Sequence, residues 1–349
     1  MNAPHNQRGM ALLTILLLVV SITIMAGAML ASQKIVIRRS ALLFTQDQMQ
    51  ADLRAGSVLA RALIRADSEL NQTDSPADVW AQPISDYPLG AHRVNVQVRD
   101  ESSRFNINNL YHDGQADTAA LAVFERLLQQ LDIDPELATV VLDYQDFDSQ
   151  VYKDTADEQA IYLANVASSN GGTVANVIAN QPFIDITELQ ALPMMDDASF
   201  ARLQPYISAV PYYVPININT ASPELLAALT DGADATALAT LMQPATRTVF
   251  ESVDMLWSQP MFAGMNEEAR KALTPLLSVE SSAFMALITV SEADSAASSA
   301  RQRFATVLLA KQKPAQQATG MNAPSANDDE AVRVVSVVSQ RLWAFRPPF

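Results

Sequence analysis

The sequence predicts an α+β fold in which one long amino-terminal helix packs on an antiparallel sheet that carries a large all-helical insertion. Three observations predict it. An uncharged apolar run leads into an amphipathic helical pattern, alternating segments occur near residues 92–108 and after 282, and helical periodicity dominates from about 117 to 275. Strands on both sides of a helical block are most simply explained by one sheet with the block inserted into it.

The first element is the apolar run of 25 residues from Gly9 to Gln33, which contains no charge. As a helix it would be about 37 Å long, enough to cross a bilayer core of about 30 Å. We predict a transmembrane helix over 10–33. A cleaved secretory signal is the alternative, with Arg8 before the apolar run and Ala26-Gly27-Ala28 as its cleavage site.

A stalk helix over 34–70 is predicted to follow without a break. Leu42, Met49, Leu53, Ala60 and Leu63 recur at steps of three, four and seven residues, which places them on one helical face. A helix that continues past the apolar run argues against ordinary secretion.

The leader before the apolar run is short, polar and basic, and it ends in glycine. In the segment from Gln7 to Leu16 it resembles a type IV prepilin leader, which a prepilin peptidase would cut after Gly9 to leave Met10 as an N-methylated first residue. Pilins usually carry Glu at mature position five, where this chain has Thr14. A buried carboxylate without a partner is unfavourable, so Thr14 suits a tip subunit with no neighbour above it, or is simply a polar residue in a membrane helix.

Two sequence signals predict opposite orientations of the membrane helix. Arg8 precedes the run, whereas Lys34, Arg38 and Arg39 follow it, and the positive-inside rule would place the carboxyl side in the cytoplasm. The leader resemblance implies the opposite, and we follow it. The prediction is a single-pass protein of the cell inner membrane with a periplasmic carboxyl-terminal domain.

The charge of the soluble body argues against a nucleic-acid partner. Residues 1–66 carry seven basic and two acidic residues, so the net charge of −15 divides into +5 for that segment and −20 for residues 67–349. Phosphate binding needs clustered Lys and Arg. Cysteine is absent, and three histidines at no metal-ligand spacing argue against a zinc enzyme or a histidine-based hydrolase.

Two related helical units are predicted in the insertion. The segment Phe183 to Met194 weakly matches Phe250 to Met261, with Asp185 and Ser252 as helix N-caps. The second unit begins at Pro215 and looks like the entry to a helix-hairpin-helix module, with Ser222 as N-cap and Pro223 in the first turn. Its turn, residues 230–234, carries two carboxylates that would repel phosphate.

An acidic run marks the one candidate ion site. Asp143, Asp146 and Asp148 are followed by Asp154, Asp157 and Glu158, and hard cations such as Ca²⁺ prefer oxygen ligands of this kind. The spacing is not that of an EF-hand, because position six from Asp146 is Val151 rather than glycine. An acidic, solvated loop is the alternative.

These motifs together resemble one family. The leader without Glu, the stretch Ser103 to Leu110, the acidic run Asp143 to Asp148 and the segment Ile216 to Ala221 occur in the order found in the type II secretion system minor pseudopilin K (GspK) family. The resemblance implies a type IV pilin-like fold and helical subdomains similar to SAM or helix-hairpin-helix modules. It also implies structural calcium held by Asp143, Asp146, Asp148 and Glu158, with Tyr144 and Gln159 departing from the family pattern.

The predicted function is therefore that of a non-enzymatic minor pseudopilin that caps the tip of the periplasmic pseudopilus and supports export of folded proteins. The implied partners are minor pseudopilins I and J, with minor pseudopilin H, the inner-membrane assembly platform and the prepilin peptidase as further contacts. A membrane-anchored periplasmic helix-hairpin-helix binding module is the alternative, and a metal-dependent hydrolase comes third. The predicted divisions are a leader (1–9), transmembrane helix (10–33), stalk (34–70), first strands (71–110), helical subdomains (111–210 and 211–280) and final strands (281–349) with a flexible loop (314–330).

Overall fold

A computed structural model describes residues 7–154, 156–158, 179–242, 249–293, 301–312 and 333–349. The predicted loop 314–330, Gln159 and the start of the leader lie outside these residues. The α+β class is confirmed: a long helix lies on an antiparallel sheet, and a helical block separates the strands of that sheet along the chain.

Helix α1 runs unbroken over Gln7–Leu70. It is long and apolar enough to cross a membrane, and its most apolar stretch is wholly exposed. From Met49 onward one face turns inward, with Met49, Leu53, Ala60 and Ile64 buried against the sheet. The predicted membrane and stalk segments are thus parts of one continuous helix.

The main sheet has five strands in the order β1-β2-β9-β10-β11, with every neighbouring pair antiparallel. Strands β3 to β8 have two residues each and form three separate pairs outside this sheet: β3 with β6, β4 with β5 and β7 with β8. The bounds are β1 Ile84–Leu89, β2 His92–Asp100, β3 Phe105–Asn106, β4 Tyr111–His112, β5 Gln115–Ala116, β6 Ile207–Ser208, β7 Ile216–Asn217, β8 Leu277–Ser278, β9 Ala283–Glu292, β10 Gln302–Gln312 and β11 Val334–Trp343.

The described helices of the insertion are short. They are α2 Thr118–Gln130, α3 Leu137–Asp143, α4 Asp197–Leu203, α5 Pro223–Ala227, α6 Ala235–Leu241, α7 Val253–Trp257 and α8 Glu267–Leu273, with 3₁₀ turns at Val79–Ala81, Ile107–Leu110, Ile186–Ala191, Gln204–Tyr206, Pro260–Phe262 and Thr274–Leu276. Ser222 and Pro223 cap α5 as predicted. Asp185 is an N-cap as predicted and forms a capping box with Glu188, although on a 3₁₀ turn. Ser252 occupies the N-cap position of α7 without a side-chain hydrogen bond.

The first predicted strand ends sooner than expected. Extended chain was expected to continue to residue 108, but β2 ends at Asp100, whose Oδ1 accepts a hydrogen bond from the Ser102 amide at 2.7 Å and turns the chain. Phe105 and Leu110 are buried in the core of the insertion rather than against α1. That core is one cluster that spans both predicted helical subdomains.

Gly56 lies at a close approach of α1 to the sheet. A Cβ placed there would overlap Ile288 Cγ2 and would lie 3.3 Å from Val94 Cγ1. Both neighbours are buried, β-branched side chains with little freedom to move. The helix can therefore approach the sheet this closely only where it has no side chain.

We predict that Gly56→Ala lowers the free energy of unfolding by about 1–2 kcal/mol, because overpacking outweighs the roughly 1 kcal/mol that alanine gains in helix propensity. Thermal unfolding of the full chain in detergent measures it. Gly27→Ala is the matched control, because its Cβ would meet nothing within 4 Å. A Gly56→Ala chain that unfolds at or above the wild-type temperature would contradict the prediction.

A buried set of polar side chains joins the insertion to the sheet and is called the polar junction below. It consists of Asp74, Asp100, Asn217, Ser281 and Lys311. Asp74 pairs with Lys311, and the Ser281 hydroxyl donates to Asp100 Oδ2 at 2.6 Å. Asn217 Nδ2 donates to the Asp74 carbonyl at 2.9 Å and to Ser281 Oγ at 2.7 Å. Five segments that are distant in sequence are thus held together by hydrogen bonds and one ion pair.

Candidate metal centre

Three of the predicted carboxylates meet at the end of α3. Asp143 is the last residue of that helix, and the amides of Gln145 and Asp146 both donate to the Leu142 carbonyl, which curls the chain into a turn. Asp143, Asp146 and Glu158 are all buried, and each offers an oxygen within 4.8 Å of the other two.

A hairpin returns Glu158 to the helix end. Gln150 and Asp157 form an antiparallel bridge, and the Glu158 amide donates to the Ser149 carbonyl at 3.2 Å. The Tyr152 amide donates to Asp143 Oδ1 at 3.0 Å, which ties the hairpin to α3. The local fold therefore explains why Glu158 lies beside Asp146 and Asp143, which precede it by twelve and fifteen residues.

The turn that follows α3 is also held in place by contacts of Tyr144 and Gln145 with other segments. The Tyr144 ring stacks on Phe183 at 4.2 Å, and its hydroxyl donates to Glu188 Oε2 at 3.0 Å. Gln145 Nε2 donates to the carbonyls of Val141 and Ile107 at 2.9 and 3.1 Å. Sequence reasoning missed the contacts of Phe183 and Glu188 with Tyr144, because neither contact leaves a local signal in the acidic run.

Several oxygens of the cluster have no internal partner. Within the described part of the chain, Asp146 Oδ1 and both carboxylate oxygens of Glu158 are buried without a hydrogen bond. Burial, reinforced by repulsion from Asp148 and Asp143, raises the pKa of Asp146 to about 7. Burial and the neighbouring carboxylates, first Asp146, raise the pKa of Glu158 to about 8. Such unpartnered buried acceptors are unfavourable unless something neutralises them.

Asp148 is the predicted ligand that the structure does not bring into the cluster. Its side chain is exposed, and its Oδ1 accepts a hydrogen bond from the Gln150 amide at 2.8 Å, as in an Asx turn. The Asp148 amide also donates to the Asp146 carboxylate. Its charge acts on the cluster, but its carboxylate lies outside the three-residue group.

The three carboxylates fit a hard divalent cation. Oxygens that share one Ca²⁺ at 2.3–2.6 Å lie at most about 5 Å apart, which the 4.8 Å spread satisfies. The ligand set contains only oxygens and supplies the negative charge that such an ion requires. Six to eight oxygens are needed in all, so backbone carbonyls or water would have to complete the shell.

The predicted processing and assembly residues lie on α1. Gly9, Met10 and Thr14 fall within its first eight residues. The Thr14 hydroxyl donates to the Ala11 carbonyl of its own helix at 2.9 Å. Thr14 is thus satisfied without a neighbouring chain.

Comparison with known proteins gives consistent results. Family models described as type II secretion system protein K match residues 103–212 and 216–280. The chain is similar to type II secretion system protein K of Klebsiella pneumoniae, at 31% identity over 82% of this chain and 89% of the relative. It is also 31% identical to the protein K of Pseudomonas aeruginosa, over 64% of this chain and 68% of that protein.

A solved structure has the same fold. It is the crystal structure of a GspK-GspI-GspJ complex from the type II secretion system of enterotoxigenic Escherichia coli, which matches with a TM-score of 0.67 at 23% identity. The match covers 87% of this chain and 99% of the solved one.

Proposed function

The chain belongs to the type II secretion system protein K family and is a minor pseudopilin, and from this premise we propose that it caps the tip of a short periplasmic fibre. The observation that carries the proposal is the shape of the chain: an exposed apolar helix, α1, ends in a body far bulkier than the helix. Such a helix can pack among sibling helices once it leaves the bilayer, while the body blocks addition of a subunit above it.

Membrane insertion and processing belong to the same proposal. The leader would remain in the cytoplasm, the apolar segment of α1 would cross the inner membrane and the body would face the periplasm. A prepilin peptidase would cut after Gly9. Mass spectrometry of the mature amino terminus should find N-methylated Met10, whereas an intact Met1 or a start near Met29 would contradict processing of this kind.

Thr14 supports a place at the tip. A Glu at this position would need the amino terminus of the next subunit to neutralise it, whereas the Thr14 hydroxyl is already bonded within α1. A subunit with nothing above it gains no stabilisation from a buried carboxylate there.

Minor pseudopilins I and J are the proposed partners in the tip complex, since the solved relative is a GspK-GspI-GspJ complex. Minor pseudopilin H and the inner-membrane assembly platform are proposed as further contacts during assembly. Co-expression followed by size-exclusion chromatography of the detergent-solubilised chains tests this. We expect the three proteins to elute together, and elution of this chain alone would contradict the proposal.

We propose no catalytic role. The histidines among the described residues already have carboxylate partners away from the acidic cluster: His92 Nδ1 lies 2.6 Å from Asp52, and His112 Nε2 lies 3.3 Å from Asp117. Neither of these two histidines is therefore positioned as a general base beside Asp143 and Asp146.

Calcium is the proposed structural cofactor, held by Asp143, Asp146 and Glu158. Its role would be to neutralise the buried carboxylates and to fasten the 149–158 hairpin to α3. Asp148, which the family resemblance includes, would then contribute through its charge or through a bridging water rather than by direct ligation.

We predict that Glu158→Gln makes the chain more stable than wild type without calcium and less stable than wild type with calcium. In chelator the variant should unfold at a higher temperature than wild type, because one of three mutually repelling buried carboxylates is gone. In millimolar Ca²⁺ wild type should be the more stable chain, because binding to the folded state stabilises it.

Isothermal titration calorimetry completes this test. Glu158→Gln and Asp146→Asn should each weaken Ca²⁺ binding at least tenfold, and Asp148→Asn should weaken it less. Glu251→Gln is the matched control at an exposed carboxylate and should match wild type throughout. Equal Ca²⁺ affinity in wild type and Asp146→Asn would contradict the site.

A further inference from the structure

Three cationic side chains follow the most apolar stretch of α1 and are called the basic collar below. They are Lys34, Arg38 and Arg39, and all three are exposed. Among the described residues, none of the three has an ion-pair partner. Their charges are therefore available to a ligand outside the chain.

The collar carries the only charges in a long stretch of α1. From Met10 to Gln46 the chain has no acidic residue, and the three collar residues are the only basic ones. As a helix this stretch is about 55 Å long, whereas the core of a bilayer is about 30 Å thick. Exposed apolar residues also lie among and beyond the collar: Ile35, Val36, Ile37, Leu42, Leu43 and Phe44. Apolar length alone therefore leaves the position of α1 along the membrane normal undetermined.

The collar matches the thickness of one head-group layer. Lys34 and Arg39 are five residues apart, which is about 7.5 Å of helix. A bilayer about 40–45 Å thick with a core of about 30 Å has about 5–8 Å of head groups on each side. Lys34 and Arg38 share one face of α1, and Arg39 lies on another. Their long side chains can therefore reach head groups on more than one side of the helix.

The acidic charge of the body lies too far away to cancel the collar. Asp47, the nearest carboxylate along the chain, is about 12 Å of helix beyond Arg39. Met49, the first residue of α1 that is buried against the sheet, is about 15 Å beyond Arg39. Both distances exceed the Debye length of about 8 Å at physiological ionic strength. The collar therefore presents a local positive charge although the chain as a whole is acidic.

We propose that the basic collar binds the phosphate groups of phospholipid head groups, with a preference for anionic lipids, and thereby fixes the register of α1 in the bilayer. The inference rests on the membrane insertion that is part of the proposed function. Guanidinium and ammonium groups both form charge-assisted hydrogen bonds with phosphate. Head-group phosphates lie at both membrane surfaces, so the collar has this role although the positive-inside rule counts its charges against the predicted orientation. Leu42 to Phe44 would then lie outside the lipid, where sibling helices can contact them.

The lipid selectivity of the reconstituted full chain tests the binding. Electron spin resonance of spin-labelled lipids measures which lipids lie next to the protein in liposomes of phosphatidylcholine and phosphatidylglycerol. At low salt, wild type should enrich phosphatidylglycerol over phosphatidylcholine by about threefold. The variant Lys34→Gln/Arg38→Gln/Arg39→Gln should show no preference. Arg38→Lys/Arg39→Lys keeps both charges and should keep the preference.

The matched control is Arg54→Gln/Arg61→Gln/Arg65→Gln, which removes the same charge from exposed positions of the same helix. Arg54 lies about 22 Å of helix beyond Arg39, so these arginines are out of reach of the head groups. The control should keep the wild-type preference. Equal selectivity in wild type and in the neutral collar variant would overturn the proposal.

The depth of a single spin label tests the register. The chain has no cysteine, so Phe44→Cys creates one labelling position about 7.5 Å beyond Arg39. With the collar intact, the label should collide freely with a water-soluble nickel complex. With the collar neutralised, the apolar residues around it should enter the bilayer core, and the collision rate should fall at least threefold. Equal collision rates would contradict a register set by the collar.

Flotation with the liposomes separates the collar from the proposed function. If wild type floats with them but shows no preference for phosphatidylglycerol, the collar does not bind anionic head groups and this inference alone fails. If wild type does not float with them, the proposed membrane insertion and this inference both fail. Co-elution with the sibling pseudopilins in detergent tests the tip role without a bilayer.

Discussion

Replacing Lys311 with methionine is expected to lower the free energy of unfolding by about 3–5 kcal/mol, the value typical of breaking a buried ion pair from one side. Lys311 and Asp74 are almost completely buried in the polar junction. Asp74 Oδ2 also accepts a hydrogen bond from the Ser281 amide at 2.7 Å. Without the ammonium group, Asp74 would remain as an uncompensated charge beside the Asp100 carboxyl, whose electrostatic environment already includes Asp74.

Chemical denaturation of the full chain in detergent measures this loss. Lys271→Met, at an exposed lysine, is the matched control and should change the free energy of unfolding by less than about 0.5 kcal/mol. The double variant Lys311→Met/Asp74→Asn should recover part of the loss, because it removes the stranded charge as well. If the single variant lost less than about 1 kcal/mol, or if the double variant were no more stable than the single one, the interpretation would be wrong.

The sequence predicts those helices and strands whose own residues show a periodic pattern of apolar side chains. Helix α1 and strands β2, β9 and β10 show apolar patterns that local residues determine. Strand β1 lies within the segment 71–110 that was predicted to hold the first strands, but its position was not predicted, because its residues, Ile-Ser-Asp-Tyr-Pro-Leu, contain neither alternation nor β-branched enrichment. That strand exists because β2 offers it a pairing edge, which is a tertiary effect.

The polar junction could not be predicted for a related reason. Asp74 and Lys311 are 237 residues apart, and nothing near either residue in the sequence identifies its partner. Asp100 similarly looks like an ordinary polar residue at the end of a strand. Only the return of the chain from the insertion brings these side chains together.

The candidate metal centre was predicted in part. The acidic run identifies Asp143, Asp146, Asp148 and Glu158, and the family resemblance adds their shared role. Sequence spacing does not determine which carboxylates turn inward, because this depends on the turn after α3. There the Gln150 amide holds Asp148 at the surface, while Asp146 points into the buried cluster.

Raising the pH from 5 to 8 is expected to destabilise the wild-type chain relative to Asp100→Asn by about 2–3 kcal/mol. Asp100 is buried in the polar junction, and this burial raises its pKa from 3.8 to about 7, although hydrogen bonds from Ser281, Thr220 and the Ser102 amide act in the opposite direction. The folded state therefore holds a proton on Asp100 at pH 5 that the unfolded chain has already released.

The sign follows from this difference in bound protons. A carboxyl with a raised pKa in the folded state contributes its full stabilisation below about pH 4 and loses it as the pH rises through about 7. The raised pKa values of Asp67, Asp146 and Glu158 act in the same direction in both chains, so they cancel in the difference between wild type and Asp100→Asn. Denaturation midpoints at pH 5, 6, 7 and 8 measure that difference.

A second variant distinguishes titration of Asp100 from a general effect of the substitution. Ser281→Ala removes a hydroxyl that donates to Asp100 Oδ2 and favours its ionised form, so the pKa of Asp100 should rise further and the loss of stability should extend to higher pH. Free energies of unfolding for wild type and Asp100→Asn that run parallel from pH 5 to 8 would show that Asp100 does not exchange a proton in this range. The polar junction would then hold two ionised aspartates against the single charge of Lys311, and the loss expected for Lys311→Met would have to be larger still.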